Sequence, residues 1–455
     1  MSGKPDRVTF EARMNVILTE LRKEIISGIR PQGSYLPSET VLGEQFRMSK
    51  KSVRKALESL VDEGLIVKIP RVGNQVSIRE KEPLAVIRLG VYPSIEEQGV
   101  LAGLLERFGR TYPNVRVETV TLPYSRYPSS VKGYLDEGFL DVFTLNNRNF
   151  ADLEHSDHLH LVEERMPNPE LHPFLSERFR AGGKLYATPF QFSPVVLCYN
   201  KDLFKRSGLK EPHSGWSWKE LLDCAVAIKE TSGVYGFYAH IESLNRFPIF
   251  LLQAGYRFLR DDDGGYRFDD PALWDILTDC RRLLHGQGVP PAFLSEGDAG
   301  AETLFKEQKT GMIMTTYYGL QLLKSVPFAY DISPLPFGRL PKTLLLVTGL
   351  AVNRQSKQKE SARLLVDFLT GPSAQRELQL FSLAPSAHSG AADEAEEATK
   401  DGPSRYRLYR EIVPAFADYK ELDISIEALD AFSQELKLFW AGLEEPEAVI
   451  GRLHG

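Results

Sequence analysis

Cysteine is scarce in this chain. Cys198, Cys224 and Cys280 are the only three, widely spaced and with no CxxC pair. That spacing excludes a disulfide framework and a thiolate metal site, and it suits a reducing compartment. Long apolar runs are also missing. No stretch reaches transmembrane length, and the N-terminal MSGKPDRVTFEARMNVILTELRKEI is charged throughout, without the apolar core of a secretion signal. The expectation is a cytoplasmic protein with no membrane partner. Neither GxGxxG nor GxxxxGK[ST] occurs at the strand ends described below, which argues against a nucleotide site. His155, His158, His160 and His172 make no HxxxH or HExxH set, so no metal site is expected. No cofactor and no catalytic residue is expected either.

Hydrophobic residues make up 42% and charged residues 25% of the chain, which excludes disordered and membrane classes. Its 455 residues are enough for about three domains' worth of chain. Charge is uneven. Residues 1–82 hold 15 Lys+Arg against 11 Asp+Glu, so a head of +4 precedes a remainder of −10 within the overall −6. A basic head on an acidic body suits nucleic acid at one end only.

The head carries its argument between Tyr35 and Ile78. Ser38 is an N-cap before Val41, Leu42 and Phe46, which share a helical face, and Ser49 is a second N-cap. Val53, Ala56, Leu57, Leu60 and Val61 then follow the i, i+3, i+4, i+7, i+8 rule of a buried stripe. Lys50, Lys51, Arg54 and Lys55 fall largely off it. Cations in the first turns oppose the helix dipole, so that face is either solvated or meets an anion. Gly64 stops the helix, and Leu65–Ile69 and Gln75–Ile78 flank the turn Pro70-Arg71-Val72-Gly73-Asn74 as a basic hairpin. Upstream, Val16, Leu18, Leu21, Ile25 and Ile26 predict a further amphipathic helix. The pattern is a winged helix-turn-helix, with the second of the two helices sized for a major groove.

Leu36-Pro37-Ser38-Glu39, the run Ser49 to Leu57, Glu63-Gly64-Leu65-Ile66, and Gly73 with Val76 together resemble the gluconate-repressor (GntR) type of bacterial regulator. The resemblance implies a double-stranded operator DNA partner, bound by a homodimer. It implies contacts from Ser38 and Glu39, from Ser49, Lys50, Ser52 and Arg54 on the recognition helix, and from Gly73 of the wing, whose basic tip adds Arg71. Lys50 stands where the family usually has Arg, so a bidentate guanine contact is lost there and the operator sequence does not transfer.

Arg79-Glu80-Lys81-Glu82-Pro83 is a charged, proline-closed linker. The expected boundaries are 1–78 for the DNA-binding domain, 79–86 for the linker and 87–455 for the remainder. Beyond the linker, strands and helices alternate: Val86–Val91, Leu101–Tyr112, Val115–Val120, Val131–Leu135 and Leu140–Leu145. That order predicts a parallel sheet with crossover helices, its ligands collecting at the strand ends Tyr92-Pro93-Ser94 and Asn146-Asn147-Arg148.

Further on come Gly183–Pro189, Val195–Phe204 with its Tyr-Asn-Lys-Asp-Leu-Phe, Gly215–Leu221, Gly311–Met314, Ser333–Pro336 and Leu350–Asn353. In this order they resemble the family 1, maltose-type, solute-binding proteins of sugar importers, over roughly residues 87–455. The fold class implied is an α+β winged helix-turn-helix head followed by a two-lobed α/β periplasmic-binding-protein-like domain of type II. The implied effector is a small molecule, a sugar or oligosaccharide, held between the lobes. By position the resemblance points to Tyr92, Asn146 and Asn147, to Gln191 and Phe192, to Asn245, to Tyr317 and Tyr318, and to Gly349 as ligand-binding residues. Aromatic faces over sugar C–H surfaces and planar amides on hydroxyls are the chemistry such a cleft needs.

Trp216 and Trp218 read as staples at a helix start, Trp440 with Leu436 and Phe439 as the core face of a terminal helix, and the acidic stretch Ala391–Ala398 as a solvated segment. Two alternatives remain open on the sequence. One is a pyridoxal-phosphate aminotransferase-like body, with Arg354-Gln355-Ser356-Lys357 the closest string to a Schiff-base lysine turn. The other is an importer's solute receptor, at odds with the missing export signal.

Overall fold

The computed structural model of the chain describes residues 7–26, 29–70, 72–77, 84–123, 127–261, 263–290, 297–391 and 402–453. It divides into two compact units, Met1–Leu84 and Ala85–Gly455.

In the first unit, helices Arg7–Ile26, Glu39–Gln45 and Lys50–Asp62 precede strands β1 (Ile66–Ile69) and β2 (Gly73–Val76). Ser38 and Ser49 both cap, their hydroxyls accepting from the Val41 and Ser52 amides. Ile17, Leu21 and Ile25 of the first helix meet Leu42, Val53, Ala56, Leu57 and Leu60, all buried. The stripe of the first helix is therefore set one residue later than Val16, which is exposed, and Val41 and Val61 also face outward. An Arg22–Glu63 fork, 2.9 and 2.7 Å, ties the first helix to the end of the recognition helix. β1 and β2 pair antiparallel from Ile66↔Val76 to Ile69↔Gly73, so the second wing strand begins two residues before the expected Gln75. A third edge comes from between the helices. Tyr35 bridges Gln75, the Val76 amide donates to Ser34 O (2.8 Å) and the Leu36 amide to Asn74 O (2.9 Å). Arg71, Ile78 and residues 79–83 lie outside the described residues, as do residues 392–398 of the acidic stretch.

The second unit begins at Ala85, so two residues expected in the linker belong to its first strand. Strands β3 (Ala85–Val91), β4 (Val115–Thr121) and β5 (Val142–Asn146), a small hairpin of β6 (Arg180–Ala181) and β7 (Lys184–Leu185), β8 (Thr188–Asn200), β9 (Tyr235–Tyr238), β10 (Thr310–Thr316), β11 (Tyr330–Ser333), β12 (Thr343–Val352) and β13 (Phe416–Ala417) follow in order. All but the hairpin form one nine-stranded sheet along the path β4-β3-β5-β12-β8-β10-β9, with β11 beside β8 and β13 beside β12. The expected parallel order holds within β3, β4 and β5 and recurs between β9 and β10. It stops at β12 and β8, which run antiparallel to each other, β12 antiparallel also to β5 and β8 to β10 and β11, so the sheet is mixed; only the short β13 lies parallel to β12.

Those two strands join the lobes. β8 is 13 residues long and buried throughout. It pairs with β12 over Thr188–Pro194 and with β10 and β11 over Val195–Asn200. β12 returns, pairing with β8 from Leu345 and with β5 from Thr348. Side chains of β8 alternate between two cores: Val196 and Cys198 in one, Val195, Leu197 and Tyr199 in the other.

Two further details fix the frame. Between the end of its pairing with β13 at Leu344 and the start of its pairing with β5 at Thr348, the outer edge of β12 has no strand of the described residues beside it. The Asn147 amide fills that gap, donating to Leu345 O (3.1 Å) and Asp418 Oδ2 (3.2 Å) and accepting from the Val347 amide (3.1 Å). Helix Trp218–Ser232 lies backbone-close on β9. A Cβ on Gly236 would stand 2.1 Å from Ala225 Cα. Trp216 and Trp440 are buried, and the Trp218 indole donates to Gln253 Oε1 (2.8 Å).

Candidate functional site

Two surfaces carry polar groups that the fold does not need. The first is the recognition helix. Lys50, Lys51, Arg54 and Lys55 are exposed, opposite the buried stripe. Arg54 forks onto Glu39 of the preceding helix, Nε–Oε1 3.0 Å and Nη2–Oε2 2.7 Å. That hydrogen bond, with Lys68 of β1 and Lys50 nearby, holds the Glu39 carboxyl below its ordinary range. A cluster of cations thus surrounds one acid. Ser49 and Ser52 join hydroxyls at 2.9 Å. Gly73, at φ +143°, opens the wing strand in a conformation that favours glycine.

The second surface is a cavity of about 650 Å³ in the two-lobed unit, bounded by Leu346, Val347 and Thr348 of the return strand and by Gln191 of β8. Six of the nine expected ligand residues line it: Tyr92, Asn146, Asn147, Gln191, Asn245 and Tyr318. Tyr92 stands at the end of β3, its hydroxyl accepting from the Asn146 amide (3.1 Å) and from Asn149 Nδ2 (2.7 Å). Asn146 caps helix Asn147–His155, its Oδ1 taking the Asn149 amide at 2.7 Å. Gln191 is 2% exposed and its Oε1 has no partner among the described residues.

Phe192, Tyr317 and Gly349 lie away from the cavity. Phe192 follows Gln191 on a strand, so it points to the opposite face, where it packs on Phe174, His172 and Tyr409. Tyr317 is buried, with its hydroxyl donating to Tyr406 O and accepting from the Tyr409 amide, both at 3.0 Å. Gly349 sits at the register shift of β12, pressed against Phe179 and Ala187.

Charged groups share the cavity: Arg148, from the expected strand end Asn146-Asn147-Arg148, and Glu97, Arg246, Asp298 and Glu302, which the sequence did not single out, with Tyr419 beside them. Arg246 is 1% exposed, 3.7 Å from Asp298 and donating to Asn245 O at 3.2 Å. Asp298 Oδ2 also accepts from Ser243 Oγ and Asn245 Nδ2, both at 3.1 Å. Glu302 accepts from Thr315 Oγ1, and burial raises its pKa. The Tyr419 hydroxyl donates to Asn245 Oδ1 at 2.9 Å. Arg246 follows directly on Asn245, one residue from an expected ligand position.

Among the described residues no helix is long and apolar enough to cross a membrane, and no group of three or more His, Cys, Asp or Glu is placed to hold a metal ion. Cys198, Cys224 and Cys280 are free, and burial raises each thiol above its ordinary range.

Residues 92–376 match the family model described as bacterial extracellular solute-binding protein, and residues 14–76 match that of bacterial regulatory proteins, gntR family. A Brucella abortus protein named as a binding protein is 26% identical over 195 residues, 41% of this chain and 47% of its own length. The chain thus spans about half the length of the curated relatives it matches. The HTH-type transcriptional regulator YieP of Escherichia coli K12 is 38% identical over 61 residues, 13% of this chain and 26% of that protein. The maltose-bound structure of MalE3 from T. maritima shares the fold at a TM-score of 0.70 and 21% identity, over 81% of this chain and 98% of that one. The aminotransferase alternative is overturned by the solute-binding match across the body. Lys357 sits exposed in the turn before helix Lys359–Thr370.

Proposed function

The chain belongs to the bacterial extracellular solute-binding protein family and carries a gntR-family DNA-binding domain ahead of it, and from that premise we propose that it is a cytoplasmic, homodimeric transcription regulator. The effector is a sugar or oligosaccharide, bound between the lobes, and lobe closure alters operator binding. The observation that carries the reading is the presence in one chain of an exposed cationic recognition helix with its wing and of a cavity walled by both lobe-crossing strands. Support for a carbohydrate comes from the hydroxyl-matching set Tyr92, Asn146, Gln191 and Tyr318, and from the maltose in the MalE3 structure. A winged helix of this type binds a two-fold site as a dimer, so closure acts through the spacing or angle of two heads.

The proposed DNA contacts are Lys50 and Arg54 with Ser38, Glu39, Ser49, Ser52, Arg71 and Gly73. The test is a thermal-shift screen of mono- and oligosaccharides on the full chain, followed by operator titration at fixed salt with and without the hit. Coupling of the usual size changes operator affinity about 5- to 150-fold. Unchanged operator affinity at saturating ligand would overturn the reading.

A further inference from the structure

Of the two guanidinium groups that line the cleft, one is neutralised and the other is not. Arg246 has Asp298. Arg148 has no hydrogen bond or ion pair to any described residue, although it is partly buried and its Nε is shut away from solvent. Asp152 lies one turn on along the same helix but makes no ion pair with it. Burial, opposed by Arg148, raises the Asp152 pKa to about 7, so near neutrality it is only a partial counter-charge. The cavity's other carboxylates do not supply one. Asp298 is engaged three ways by Ser243, Asn245 and Arg246, Glu302 is held by Thr315 with its pKa raised, and Glu97 is exposed to solvent.

Leaving a half-buried guanidinium unpaired costs folding free energy, a cost that an arriving anion removes. Arg148 is at the second position of a nine-residue helix capped by Asn146, so the helix dipole adds to the attraction. Independent polar groups point to a ligand in the same cavity. Arg246 and Gln191, both lining the cavity and 1% and 2% exposed, each keep a buried atom without a partner among the described residues, Nε and Oε1 respectively. Arg148 and Arg246 both act electrostatically on the Tyr419 hydroxyl, which lines the same cavity.

We propose that the effector carries an anionic group, a carboxylate or a phosphate, that binds Arg148 in this cavity, while a hydroxyl of its body donates to Gln191 Oε1. The body follows from the carbohydrate reading above; the charge follows from Arg148.

The experiment compares glucose, glucuronate, glucose 6-phosphate, glycerol 3-phosphate and inorganic phosphate by thermal shift and calorimetry on the full chain, at constant ionic strength. Wild type, Arg148→Gln and Arg148→Lys are run together. Arg148 makes no hydrogen bond or ion pair to a described residue, so the unliganded variants melt no lower than wild type, and Arg148→Gln, relieved of the unpaired charge, melts slightly higher. An acidic sugar binds about 10- to 100-fold more tightly than glucose. That ratio collapses in Arg148→Gln and partly returns in Arg148→Lys. Glucuronate against glucose 6-phosphate tells carboxylate from phosphate. A glycerol 3-phosphate or phosphate shift that depends on Arg148, with no sugar response, keeps the anion site and removes the carbohydrate. Glucose binding as tightly as its acids, with the ratio unmoved by Arg148→Gln, overturns the anion and leaves the sugar sensor standing. No Arg148-dependent shift with any anion overturns it as well.

Discussion

Replacing Asn147 by Ala separates two roles that its position allows. The residue lines the cavity, yet its side-chain amide is spent on Leu345 O, the Val347 amide and Asp418. Alanine leaves one backbone acceptor and one backbone donor of the return strand orphaned. Asp418 keeps Arg178 at 3.5 Å and the Lys420 amide at 3.1 Å. With Asn147 only 2% exposed, water does not reach the vacated groups freely. Two buried orphans cost about 3 kcal/mol, and in a unit this large that lowers Tm by about 5 °C. Asn147→Asp should lose more. It keeps an acceptor for Val347 but sets a second carboxylate against Asp418, so its deficit grows as pH rises through the carboxylate range. Differential scanning calorimetry measures the loss, and titration of the folded variant measures ligand affinity. An unchanged Tm in Asn147→Ala with ligand binding abolished would refute the reasoning and return Asn147 to the ligand.

Arg54→Ala should abolish specific operator binding in an anisotropy titration while ligand affinity survives; loss of both would signal misfolding instead. Gly236→Ala should destabilise by at least about 3 kcal/mol, since the new methyl meets helix backbone that cannot turn aside, and urea midpoints will show it. Asp152 has a folded pKa raised from 3.8 to about 7. It is neutral in both states only well below pH 3.8, and its ionisation penalises the folded state increasingly as pH climbs from there, fully above 7. Asp152→Asn should therefore match wild type at that acid end and exceed it by about 2–4 kcal/mol above pH 7; equal stability across that range would refute the shift.

The head was legible because its signals are local: two serine caps, a stripe and a turn glycine each act within a few residues. The third edge of the wing was not, because Ser34–Leu36 meets β2 only through a contact some forty residues away in sequence. In the body, strand ends pointed to Tyr92 and Asn146, and the family resemblance to Gln191, Asn245 and Tyr318; all five line the cavity. Phe192 went astray by the two-residue alternation of β8, and Tyr317 because its neighbour took the cavity side. Asp298 and Glu302 had no local signature. Tyr419 did have one, the Asp418-to-Glu421 capping box, but nothing in the sequence says which lobe that box faces.

β8 is a beam shared by two rooms. Because its successive side chains are planted alternately in the two cores, one of which runs from β3 and β5 to β10 and β11, neither core can melt and leave the other's wall intact. Residues 85–455 should then give one cooperative endotherm, not two, and hydrogen exchange along β8 should be the slowest in the unit. A ligand that stabilises either lobe protects both. For a molecule read as a sensor, occupancy anywhere along the cleft is registered by the whole unit at once.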